Sequence, residues 1–301
     1  MRQALSTSAF IYVMDKELVE KAFVAPIRGQ IEPIGPILDI RMDDFLVELA
    51  DAVNSSPIDA LECYFSPTLD RLRMTDLLLS RVRKDFWSVH GPYGRYLDVS
   101  SPELPGRVDA IAGYKEAILF AESLGAKVVV IHPGHKTMYD VPRNVRLEYA
   151  INSIKQIAEF AGERNIQAAV EPLPNDEIGS SLEEVLDIIE KVNTPNVGVN
   201  FDTNHLFPAS SIPALIRKAR GLITSVHISD QDDVERHWLP FTGKLDWTDV
   251  LQALTDADYT GPLVYETHIR EAKNVSDVLN IITTNYIRLS SLMPESVQQY
   301  I

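Results

Sequence analysis

The stretch Asn196–Phe207, NVGVNFDTNHLF, decides how the chain is read. Its first half alternates apolar and small residues and ends on an aromatic, as a buried strand does. It then stops on Asp202 and places His205 three residues later, polar groups with no packing reason to follow an apolar run. The same construction recurs along the chain. Strand-like runs stand at RQALSTS, DALECYF, FWSVH, KVVVIH, IQAAVEP, NVGVNFD, ITSVHIS and PLVYET, which makes eight. Amphipathic, helix-length stretches separate most of them, such as VRLEYAINSIKQIAEFAGERN and DWTDVLQALTDADY.

Short strands alternating with helices predict parallel strands joined by crossover helices. Eight such units in 301 residues predict an α/β fold with a single closed (β/α)8 TIM barrel domain. An open doubly wound sheet would carry a glycine-rich phosphate loop after its first strand, and STSAFIYVM is not one. Local signals agree with the helices. Ser181 followed by Glu184 has capping-box spacing, and Asp246 is placed to cap a helix whose first turn Trp247 packs on. The Pro-rich region 15–39 is expected to be an irregular insertion after the first strand.

The strand ends carry the chemistry. The third run ends in His90, the fourth in His132, the fifth in Glu171 and the sixth in Asp202. The seventh carries His227 and the eighth Glu266. One histidine at a strand end is ordinarily a hydrogen-bonded structural group, and one carboxylate ordinarily a helix cap. Six successive strand ends do not share that excuse. On a closed barrel these side chains converge at the mouth where barrel chemistry sits. Glu171, Asp202, His227 and Glu266 then form a cage of three carboxylates and one imidazole. Such a set suits a divalent ion, with Mn²⁺ or Zn²⁺ favoured and Mg²⁺ or Co²⁺ also compatible. Without a cation, three carboxylates so close would raise one another's pKa. His135 and His268 lie beyond the strand ends and are not expected as ligands.

The totals narrow the partners. A formal net charge of −15 repels phosphate backbones, which disfavours nucleic acid without excluding it. No run approaches a membrane span of roughly 18 apolar residues. The N-terminus reads as part of the fold and not as a signal peptide. Cys63 is the single cysteine and is expected to be a buried structural thiol; this fits a reducing compartment, the cytoplasm. Pairing into a homo-oligomer is left open.

Taken in order, VHGPYGRYLDVSSP, VVVIHPGH, AAVEPLP, VNFDTNHLF, VHISDQ, ERHWLPFTGKLDW and LVYETH make the chain resemble the xylose-isomerase-like barrel superfamily. The resemblance runs from about Asp59 to Ile269. That superfamily holds sugar and sugar phosphate isomerases and epimerases together with type IV apurinic/apyrimidinic (AP) endonucleases. For the epimerase branch the resemblance implies that Glu171 and Glu266 also move the proton, through an ene-diolate. His205 and Glu177 would then contact a carbohydrate substrate, with His205 and His237 orienting its hydroxyls. For the endonuclease branch it implies a zinc phosphodiesterase with three zinc ions. His90, His132 and Glu171 would hold one, the four-residue cage the second, and His205, Glu235 and His237 the third. Two departures from that pattern bear on the third ion: Glu235 stands where the endonucleases have Asp, and the gap from His227 to His237 is short. EPLP and the acidic balance favour the sugar branch. A dehydratase or aldol-type enzyme on a hydroxy acid is a further alternative. Lys244 is a candidate for a substrate phosphate or carboxylate, set against a solvated loop lysine. Tyr93, Arg95, Tyr96 and Arg107 would supply the rim that an endonuclease needs.

Overall fold

A computed structural model describes residues 1–94, 96–136 and 140–293. The strands are β1 (Gln3–Ser6), β2 (Ala60–Tyr64), β3 (Asp85–His90), β4 (Val128–Ile131), β5 (Gln167–Val170), β6 (Val197–Asp202), β7 (Ile223–Ile228) and β8 (Leu263–Tyr265). All neighbours pair in parallel, and β8 closes on β1, so the eight strands form a closed barrel. A crossover helix follows each strand: α1 (Pro36–Asn54), α2 (Arg71–Arg81), α3 (Leu104–Leu124), α4 (Arg143–Gly162), α5 (Leu182–Val192), α6 (Ile212–Lys218), α7 (Trp247–Asp256) and α8 (Val275–Leu292). The expected single (β/α)8 barrel is what the chain adopts. Among the described residues, no helix is long and apolar enough to cross a membrane.

Strand parity explains both core and site. Successive side chains point to opposite faces of a strand. On β6, Val197, Val199 and Phe201 join the large apolar core between strands and helices. Their neighbours Asn200 and Asp202 make polar contacts with groups from other strands inside the barrel. The barrel floor is a small separate cluster of Ala4, Ala60 and Val264 with Trp87 against it. Two bulges adjust this parity. The β2–β3 register slips between Leu61 and Glu62, so that Glu62 pairs with Ser88. The β6–β7 register slips between Val199 and Asn200, so that Asp202 pairs with His227. Each bulge brings polar side chains of neighbouring strands onto the same inner face.

The local expectations fare differently. Ser181 caps α5 by accepting from the Glu184 N–H, and Asp246 caps α7. The Glu184 carboxylate turns instead to the Gly179 N–H and Arg143, so the box is only half made. The stretch read as irregular over 15–39 is largely helical. Asp15 caps a helix that runs as Lys16–Val19, a π-helical turn at Glu20–Val24 and Ala25–Ile27, and α1 already begins at Pro36. Its buried Leu18 and Ala22 join the core, and that packing holds a helix the composition did not suggest. Trp247 packs in the core as expected, and its indole N–H donates to Asp230 at 2.9 Å. Cys63 is buried, and burial pushes its thiol pKa far up.

Candidate metal centre and active site

Glu171, Asp202, His227 and Glu266 come from the ends of four consecutive strands, β5 to β8, and their ligand atoms lie within 4.8 Å of one another. His227 sits at the centre of this arc. Its Nδ1 is 3.0 Å from Glu171 Oε1, 3.0 Å from Glu266 Oε2 and 3.8 Å from Asp202 Oδ2. Two further groups adjoin the cage. His90 and His132 gather on Glu171, with His132 Nε2 at 3.0 Å and His90 Nε2 at 3.5 Å from Glu171 Oε2. His205, Glu235 and His237 form the other, with Glu235 Oε1 at 4.0 Å from His205 Nε2 and 3.5 Å from His237 Nε2. The shortened spacing and the Glu for Asp exchange therefore do not scatter the third group; the longer Glu side chain still reaches both imidazoles.

The imidazoles are oriented as metal ligands are. A backbone carbonyl can only accept, so a ring nitrogen bonded to one must carry the proton. His90 Nδ1 meets the Gly91 carbonyl at 2.9 Å, His205 Nδ1 that of Pro172 at 3.0 Å, and His237 Nδ1 that of Glu266 at 3.2 Å. Each therefore turns an Nε2 lone pair into its cluster. His227 is reversed. Its Nε2 lies 3.0 Å from Glu62 Oε2, which leaves Nδ1 facing the cage. Glu62 is fully buried on β2 and is held by a 2.7 Å hydrogen bond from Ser88 Oγ. Carboxylate or carbonyl partners of this kind fix the tautomer of metal-binding histidines and strengthen them as donors.

Glu62 was missed in the sequence, although a usable signal was there. A carboxylate in the middle of DALECYF, at the parity of Ala60 and Tyr64, has no solvent to reach. Attention to strand ends passed over it because it lies one layer deeper.

The buried charges of the site act on one another. Burial opposes ionisation of Glu171 and Glu266, but His227 and its neighbours outweigh it and hold both carboxyls well below the usual range. Burial pushes the Asp202 carboxyl up, and the Glu266 and Glu171 charges add to this. Burial resists charge on His227, yet Glu62, Glu266 and Glu171 raise it well above an ordinary imidazole. Glu171 Oε2, Asp202 Oδ2, Glu266 Oε2 and His132 Nε2 are buried without a hydrogen bond. His132 approaches Glu171 to 3.0 Å without hydrogen-bond alignment, and burial lowers its pKa and so favours the neutral ring. Buried, unpartnered donors of this kind, three of them anionic, fit a divalent cation.

The remaining expected residues divide. Glu177 lines the cavity above the cage, 3.6 Å from His135 Nδ1, and burial raises its carboxyl. His135 and His268 line the same cavity but belong to none of the three ligand groups. Burial and the neighbouring His237 push the His268 pKa down to about 4, so its ring stays neutral. Lys244 stays on the surface, 2.6 Å from Asp233, and is not among the cavity's lining residues. Of the proposed rim, Tyr93 stacks on His132, and Arg107 turns to the Ser101 carbonyl and the Tyr149 ring. Arg95 lies outside the described residues.

The chain is 24% identical over 200 residues to a D-psicose 3-epimerase of Ruminiclostridium cellulolyticum, covering 64% of this chain and 66% of that one. It is 26% identical over 228 residues to a probable endonuclease 4 of Mesoplasma florum, covering 69% and 76%. A Sinorhizobium fredii relative at 32% identity is matched over 51% of its length. Among solved structures, a D-psicose 3-epimerase crystallised with D-fructose superposes with a TM-score of 0.72 at 14% identity, over 97% of this chain and 99% of that one. The IOLI protein, solved with a bound zinc atom, gives 0.71 at 14%, over 98% and 100%. At such identities the superpositions speak for the fold. The profile of the family described as xylose isomerase-like TIM barrel matches residues 50–283, and the chain belongs to that family.

Proposed function

We propose that the chain is a metal-dependent isomerase or epimerase that moves a proton next to the carbonyl of a hydroxylated, sugar-type substrate. The observation that carries this is the cage itself: two buried glutamates stand at the two ends of a four-strand arc, with Asp202 and His227 between them. Glu171, Asp202, His227 and Glu266 would hold the cation. When bound, a divalent ion there supplies Lewis-acid polarisation, which acidifies the C–H beside a carbonyl. His227 and its neighbours hold both the Glu171 and the Glu266 carboxyl below the usual range, so either one can serve as the base. One removes the proton; the other, protonated in that half of the cycle, returns one to the opposite face, and the roles exchange in reverse. Each transfer by a positioned side chain is worth about 10²–10⁴-fold. Glu177, His205 and His237 line the cavity above and are placed to orient hydroxyls.

Deuterium incorporation from D₂O into a panel of ketoses, followed by NMR on Mn²⁺-loaded protein, tests the reading. Glu266→Gln should lower exchange by at least 10³-fold with the circular dichroism spectrum unchanged. Full exchange in that variant sinks the mechanism.

A second reading has its own support, because Glu171 is shared between two of three ligand groups. Such clustering suits hydrolysis of a phosphoester. Three zinc ions per chain by elemental analysis, with cleavage of an abasic duplex or an activated phosphodiester, would move the assignment there. The net charge of −15 argues against a nucleic-acid substrate.

A further inference from the structure

The cage does not open directly on solvent alone. Glu266 of the cage, with His90, His132, His205 and His237 beside it, lines a cavity of about 330 Å³ whose other side, the chamber, lies against β1, β2 and α1 and is walled by Met14, Phe23, Ile27, Met42, Phe45 and Phe65. The helical insertion after β1 contributes Phe23 and Ile27 and forms one wall. The walls of the chamber are mostly apolar. Three of the polar groups that border it are already engaged: Ser66 Oγ donates to the Ala22 carbonyl, Ser8 Oγ bonds Ser6, and Thr7 Oγ1 accepts from the Tyr64 N–H. The Tyr64 hydroxyl is buried and unpartnered, and the Tyr64 ring stacks on His90, whose Nε2 lies 3.5 Å from Glu171 of the cage.

A free sugar seated at the cage gains little from such a space. Hydroxyls placed against thioether and phenyl walls lose water and gain no partner. An aryl or branched alkyl group gains from the same burial, and methionine walls adapt to its shape. We propose that the substrate is a hydroxy-carbonyl compound carrying an apolar substituent, such as an oxidised aryl glycoside, with the substituent seated in this chamber and the hydroxy-carbonyl end at the cage. The Tyr64 hydroxyl then donates to the oxygen at the junction. This substrate class rests on the proton-transfer reading of the cage.

Two measurements on the intact, Mn²⁺-loaded chain separate the chamber from the proton-transfer reading. The first is calorimetric binding of phenyl and methyl β-D-glucoside. The phenyl compound should bind at least tenfold more tightly, and Met42→Gln, which sets an amide in the chamber wall, should reduce that advantage below threefold. Phe23→Ala, in the partly buried insertion, should do the same if Met42→Gln fails to fold. Equal binding of the two glycosides by the unaltered protein overturns the chamber proposal. The second is solvent deuterium exchange into phenyl and methyl 3-keto-β-D-glucoside. A higher kcat/KM for the phenyl compound, through KM, supports the proposal. No exchange into either removes the proton-transfer reading and leaves the chamber to be judged by the binding ratio.

Discussion

At the scale of single residues, Glu62 deserves the most weight for a group that touches no substrate. It holds His227 in the tautomer that turns Nδ1 to the cage. Glu62→Gln keeps an acceptor for the ring N–H but removes the charge that strengthens it. Loss of such a partner lowers metal affinity by roughly 10–100-fold. Titration of apo protein with Co²⁺, followed through its visible absorption, should show that loss while the apo fold melts within a few degrees of normal. His237 gives a pH signature. Burial opposes its charge, but the Glu235 hydrogen bond and the Glu266 and Asp202 charges raise its pKa to about 9. An unfolded imidazole titrates near 6.5. The folded pKa is the higher one, so this contribution to stability is complete below about pH 6.5 and is lost as pH rises through 9. Chemical denaturation in chelator at pH 6, 8 and 9.5 should show the decline, and Glu235→Gln should flatten it.

At the scale of elements, the insertion after β1 is tied to the loop after β3. Gly94 has φ +134°, a backbone region that side chains disfavour, and a Cβ there would lie 2.7 Å from Ile27 Cα. Gly94→Ala should therefore push the insertion off the cavity. Limited proteolysis should then cut within residues 20–35 faster than in the unaltered chain, while the barrel core keeps its amide protection. Unchanged cleavage would mean that the contact does not hold the insertion. The helices themselves follow from local chemistry: Asp70, Ser181, Asp246 and Asn274 each cap the N–H groups of a first turn. The insertion was harder to read. Prolines at 26, 33 and 36 and glycines at 29 and 35 suggested irregular chain, whereas burial of Leu18 and Ala22 against the barrel stabilises helix there.

At the scale of the molecule, eight strands deliver four buried carboxylates, Glu62, Glu171, Asp202 and Glu266, to the inside of one barrel. A cation that binds only the folded chain stabilises it by mass action, about 2.7 kcal/mol at a free concentration ~100 Kd. Adding Mn²⁺ or Zn²⁺ to chelated protein should thus raise Tm by several degrees, and Asp202→Asn should reduce the rise. A Tm indifferent to every divalent ion would contradict the metal centre.

The sequence by itself determined the alternation of strands and helices, and with it the barrel. It also named the polar residues that end the strands, because period and residue type are local properties. Tertiary structure alone decided the rest. Glu62 on β2 meets His227 on β7 only because the sheet closes, and backbone carbonyls choose which imidazole nitrogen faces inward. The apolar chamber exists only where an insertion folds back over β1 and β2. Each depends on which groups face one another across the barrel, and a one-dimensional pattern carries no record of that.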